Sequence, residues 1–123
     1  MRTAASTLKR SRRLRFEKLV DRILTQLDPA VRLALDNLVV VVEAAPPDGD
    51  PEQFGVYDGV AKTERGSGYT FAVPDRIVIF QKPLEEAFPD PRELEEQIRI
   101  TLLHEIGHHL GFDEEQLDQL GLA

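Results

Sequence analysis

The chain has no cysteine and no tryptophan, and its one methionine is Met1. Without thiols there is neither a disulfide framework nor a thiolate metal site, so any bound metal must use histidine, carboxylates or water. The lack of cysteine fits a reducing compartment. No apolar run reaches the roughly 20 residues of a membrane span. The basic N-terminus is not followed by an apolar stretch of the signal-peptide kind, so the expected location is the cytoplasm. No repeat, low-complexity tract or interdomain linker interrupts the 123 residues, which suffice for one domain with an ordinary core.

Charge is unevenly placed. Residues 1–18 hold seven basic residues against Glu17 alone, which leaves eight basic and 21 acidic residues beyond, a net of −13. A body this acidic is a poor electrostatic match for nucleic acid. Residues 1–12 therefore read as a solvated, flexible basic tail ahead of a single domain over 13–123. A nucleic-acid arm, or a tail folded back on its own acidic domain, is the weaker reading.

Leu14, Phe16, Leu19, Val20, Ile23, Leu24 and Leu27 recur at helical spacing and predict an amphipathic helix over about 13–27. Asp28-Pro29 caps and opens a second, short helix to about Asp36. The run Leu38–Val42 predicts a central strand buried on both faces. After the loop around Pro46-Pro47-Asp48-Gly49, strands are expected at Phe54–Asp58, Tyr69–Val73 and, most clearly, Arg76–Phe80. Thr63 to Ser67 reads as a polar turn, Pro74-Asp75 as another, and Leu84–Ala87 as a helical turn. A long helix should start at Pro91 behind Asp90 as cap and end near Leu110, with Gly111 as its C-terminal glycine. Asp113 and Gln116 form a capping box for a last helix to about Leu120. Helices, then strands, then helices indicate an α+β domain.

The chemistry concentrates in His104-Glu105-Ile106-Gly107-His108. Two imidazoles at i and i+4 of a helix are about 40° apart around its axis, so they face the same way. Zinc accepts such nitrogens, and the intervening glutamate can serve as base in a zinc hydrolase. On a helical wheel Leu94, Ile98, Leu102, Ile106 and Leu110 climb one face, widened by Ile100 and Leu103. The polar stripe left over is Gln97, Thr101, His104 and His108. Two histidines in the only polar stripe of a buried helix need partners, and a metal supplies them. Gly107 lies where a neighbouring backbone could approach. His109 falls among Ile98 and Leu102, so packing or support is expected of it rather than ligation.

A catalytic zinc needs a third protein ligand and leaves one position for water. The stretch 104–114 fits H-E-x-x-H-x-x-G-x-x-ligand, with Gly111 reversing the chain and Glu114 returning to the metal. Asp113 is the neighbouring candidate, ahead of Glu115 and Asp118. Asp113, Glu114 and Glu115 also suit the opening of a helix.

Phe54-Gly55-Val56-Tyr57-Asp58-Gly59, Asp75 to Glu85, and above all Leu103-His104-Glu105-Ile106-Gly107-His108-His109-Leu110-Gly111 resemble the minimal zincin-like metallopeptidases of bacteria. The resemblance covers the chain from about residue 14. It implies a trimmed metzincin: a mixed sheet of three to four strands backing the active-site helix, with N- and C-terminal helices. It further implies a Zn²⁺ cofactor, a peptide or protein substrate, and an exposed edge strand, Tyr69–Val73 or Arg76–Phe80, that aligns the substrate. Metzincins carry histidine where Glu114 stands, and the minimal family commonly aspartate; the methionine-containing turn is absent here.

The expected activity is peptide hydrolysis by a metal-activated water, with His104, His108 and Glu114 as metal ligands and Glu105 as general base. Tyr57, Tyr69 and Arg76 are nominated to stabilise the oxyanion, although a structural role suits each of them better. The competing reading is a catalytically weak or inactive zincin-like module that binds a partner protein. Nucleic-acid binding through the basic N-terminus ranks last.

Overall fold

The computed structural model describes residues 3–33, 35, 38–59 and 75–119. The first helix, α1, runs from Ala4 to Gln26, beginning well before the expected residue 13. The Thr3 hydroxyl caps it by accepting the Ser6 N–H at 3.1 Å. Its C-terminal half buries Phe16, Val20 and Ile23. That packed half supplies the nucleus, after which extension through Ala4, Ala5, Leu8, Lys9 and Arg10 needs only good helix formers. No burial periodicity marks residues 4–12, which are all exposed, so the apolar pattern alone could not place the start.

Helix α2 spans Pro29–Leu33, where Asp28 caps the Ala30 N–H at 2.8 Å. The strands are β1 (Leu38–Glu43), β2 (Gly55–Asp58) and β3 (Asp75–Phe80), in the order β1-β3-β2. β1 pairs with β3 in parallel, Val40 opposite Ile77 and Val42 opposite Ile79. β2 pairs antiparallel on the other side, Val56 opposite Val78 and Tyr57 opposite Ile77. The sheet is mixed, with three strands among the described residues.

This order corrects the expected central strand. Among the described residues the valine run of β1 lies at the sheet's edge, with Val39 40% exposed, and β3 is the strand held on both sides. β-Branched residues favour any extended strand, so a run of valines fixes the conformation but not the position in the sheet. Arg76–Phe80 therefore offers no free edge to a substrate. Asp75, expected in a turn, is the first residue of β3 and is buried. The candidate strand Tyr69–Val73 and the turn Thr63–Ser67 fall outside the described residues.

Helix α3 extends from Gln81 to Ala87 and follows β3 directly. Helix α4 runs from Pro91 to His109, with Asp90 accepting the Glu93 N–H at 3.0 Å. Helix α5 is Glu114–Gln119. The core forms where Phe16, Val20, Ile23 and Leu27 of α1 and Ile98, Leu102 and Ile106 of α4 cover Ile77 and Ile79 of β3, with Leu84 closing one end. Covering a sheet on one face with helices gives the expected α+β architecture. None of the described helices is long and apolar enough to cross a membrane. Packing α4 onto the sheet fixes the direction in which its last two turns present their side chains.

Candidate metal and hydrolytic site

His104 and His108 lie on the polar stripe of α4, one turn apart and half-buried. Their ring centroids are 4.8 Å apart and the two Nε2 atoms 3.1 Å apart. Beyond them the chain must turn back sharply. Gly111 does this at φ 93°, a left-handed conformation that a side chain would disfavour. The Gly111 N–H reaches the His108 carbonyl at 2.9 Å, and the Phe112 N–H the Gly107 carbonyl at 2.9 Å.

The capping box then forms as expected: the Asp113 carboxylate accepts the Gln116 N–H at 2.8 Å, and the Gln116 side-chain carbonyl accepts the Asp113 N–H at 2.8 Å. Helix α5 is seated by Leu117, fully buried against Gly107. The expected close approach at Gly107 is thus made by a leucine side chain rather than by backbone.

This turn delivers Glu114. Its Oε1 lies 2.8 Å from His108 Nε2 and 3.3 Å from His104 Nε2. Three donor atoms therefore form a triangle with edges of 3.1, 3.3 and 2.8 Å. A tetrahedral zinc with ligands at about 2.0–2.1 Å separates them by about 3.3 Å, so two imidazoles and one carboxylate fit this metal in chemistry and in spacing. Asp113, the alternative ligand, engages its carboxylate in the helix cap.

Glu105 stands one step behind the triangle, its Oε2 3.9 Å from His104 Nε2. Ligand atoms of His104, Glu105 and His108 come within 4.8 Å of one another, close enough to meet one ion. Glu114 approaches His104 Nε2 more closely than Glu105 does. Burial pushes the Glu105 carboxyl above its ordinary range, with Glu114 adding to the rise, while His104, His108 and the Tyr57 backbone N–H draw it back. Glu105 and His108 border a cleft of about 440 Å³ whose other walls are Val56 and Tyr57 of β2 and Phe112 and Asp113 of the turn.

His109 takes the supporting place expected of it. It is fully buried, with Nδ1 3.2 Å from Asp75 Oδ2 and 3.4 Å from the Tyr57 hydroxyl. Tyr57 donates its hydroxyl proton to Asp75 Oδ2 at 2.6 Å. Among the nominated electrophiles, Tyr57 thus directs this proton inward and Arg76 pairs with Asp58 at 2.9 Å on the exposed side. Tyr69 lies outside the described residues. Asp75 is the residue the sequence reading missed. The available signal was parity: Asp75 shares a strand face with Ile77 and Ile79, so it had to point into the core.

No curated protein sequence matches the chain. A family model of zincin-like metallopeptidases matches residues 35–122, which takes in the sheet, the H-E-x-x-H helix and the Glu114 turn. The chain belongs to the zincin-like metallopeptidase family.

Proposed function

We propose that the protein hydrolyses peptide bonds, with His104, His108 and Glu114 holding a zinc ion and Glu105 acting as general base. The observation that carries this is the triangle of His104, His108 and Glu114 donor atoms, beside a cleft that His108 and Glu105 border. When bound there, zinc supplies a Lewis acid and lowers the pKa of a coordinated water to about 7.

The residues supply the rest. Glu105 accepts the proton of the attacking water and returns it to the amine that leaves as the C–N bond breaks. Its burial suits this role, because a carboxylate held out of bulk water is a stronger proton acceptor. β2 flanks the cleft, so it replaces Arg76–Phe80 as the strand beside which an extended peptide lies.

The test is zinc content of protein purified without chelator or nickel column, together with cleavage of a peptide mixture by the native chain and by Glu105→Gln. The expected result is one zinc per chain in both and cleavage only by the native form. Stoichiometric zinc with cleavage that survives Glu105→Gln would sink the general-base role. A chain that neither carries nor takes up zinc would leave His108–Glu114 an ordinary hydrogen bond and favour the partner-binding module.

A further inference from the structure

Residues 1–18 gather seven cations in a chain of net charge −7, and the fold gives three of them a common place. Arg13, Arg12 and Lys9 stand three, four and seven residues ahead of Phe16, so they continue the face of α1 that buries Phe16 and Val20. A helix that only extended its packing would carry apolar side chains there. Instead the stripe turns basic and forms one wall of a groove of about 810 Å³, with Lys82 of α3 as a fourth cation. Glu85 and Glu86 are the acids of the lining, so the groove keeps a positive balance in an acidic protein.

Several bonds hold the walls in place. Arg13 donates its Nε–H to Glu17 at 2.8 Å and a second N–H to the Val42 carbonyl. The Lys82 backbone N–H donates to the Ala44 carbonyl at 2.9 Å, which ties the loop after β1 to the start of α3. The Gln81 amide donates to Glu85 at 3.0 Å and occupies that carboxylate. Among the described residues Lys9, Arg12 and Lys82 are exposed and enter no ion pair, so their charge faces the groove without a carboxylate beside it. Phe88, Pro89 and Leu94 add an apolar side.

We infer that this groove docks an acidic peptide segment of a partner protein. Carboxylates of the segment meet the four cations, as acidic motifs are read by clusters of basic side chains, and an apolar residue settles on Phe88 and Leu94. A nucleic acid fits less well: its continuous phosphate backbone would run past Glu86 and along a body of net −13. The groove is separate from the cleft beside the histidines. It adjoins Leu94 near the start of α4, whereas His108 lies at the end of that helix. At about 1.5 Å per residue the two are about 20 Å apart. The bound segment is therefore held rather than cut, and the inference stands without the peptidase reading.

The probe is a fluorescently labelled peptide of aspartate, glutamate and leucine, about ten residues long, titrated by anisotropy at low salt and checked by mass spectrometry for cleavage. The native chain is expected to bind it with micromolar affinity. Lys9→Glu with Arg12→Glu should weaken binding roughly tenfold or more. Arg10→Glu with Arg15→Glu changes the charge equally on other faces of α1 and should weaken it less than about threefold. All four residues are exposed, so both double variants should keep the native Tm. Equal weakening by the two pairs would reduce the effect to net charge and overturn the site. Failure of the native chain to bind the peptide would overturn it too, as would tighter binding of a DNA duplex or of vesicles rich in anionic lipid. A dimer in sedimentation that only Lys9→Glu with Arg12→Glu dissolves would assign the groove to a second copy instead.

Discussion

The last six residues of α4 feed two polar clusters of opposite character. His104 and His108 open outward with Glu114, while His109 turns inward to Asp75 and Tyr57. The outer cluster is local: its three members come from the continuous stretch 104–114, and a helix, a glycine turn and a capping box suffice to assemble it. The inner cluster is non-local, joining residues 34 and 52 positions apart. It exists only once the sheet has formed and α4 has docked. The outer cluster thus places the proposed metal ligands on a short element, and the inner one ties the end of α4 to the sheet.

Breaking the outer cluster should have the larger effect. Glu105→Gln is expected to lower peptide cleavage by roughly 10²- to 10⁴-fold with zinc retained, measured as kcat alongside metal content. His108→Ala removes one imidazole of the pair and should abolish stoichiometric zinc and activity together, as read by elemental analysis. Glu114→Ala should weaken zinc binding far more than Asp113→Asn does, because Asp113 serves the cap. Equal losses in a zinc titration would reopen the choice between these ligands.

Breaking the inner cluster should appear first in stability. Asp75→Ala leaves His109 buried without its carboxylate and should cost about 3 kcal/mol or more, a fall in Tm on the order of 10 °C in a thermal melt. The link between the clusters is sharper still at Gly107. Its Cα faces the Leu117 side chain so closely that Gly107→Val must displace Leu117 and loosen α5. Zinc affinity should then fall roughly tenfold while β3 and the core remain intact, a combination that metal titration and amide exchange can distinguish.

The smallest effect belongs to the exposed pair Glu96–Arg99 on the outer face of α4. The Arg99 hydrogen bond holds the Glu96 carboxyl below its ordinary range. Its contribution is therefore present above the unfolded carboxylate range and lost as acid protonates Glu96. Replacing Arg99 by Ala should change Tm by no more than a degree or two at neutral pH.

The same contrast explains what the sequence could disclose. Helix α4, its Asp90 cap, the Gly111 reversal and the Asp113–Gln116 box are short-range features, and each stands where its residues predicted. The convergence of Glu114 on the histidines follows from them. Asp75 and Tyr57 were not legible as partners of His109 because their meeting depends on the β2–β3 register and on helix docking. The rank of β1 and β3 in the sheet failed for the same reason: Leu38–Val42 specifies an extended strand, and only its neighbours decide whether it is central. The early start of α1 escaped notice because residues 4–12 bury nothing and so leave no periodic mark.

Helix α5 has a consequence of its own. It is six residues long, and Leu117 is its buried anchor. A segment so lightly held opens more readily than the core, and each opening withdraws the Glu114 carboxylate from the histidines. If zinc binds the proposed site in the closed form only, it would shift this equilibrium by mass action, and metal affinity and the local folding of residues 112–119 would share one free energy. Amide protection in α5 should rise with free zinc while protection in β3 stays constant. The turn after α4 would then report metal supply as its own degree of order, without any movement of the sheet.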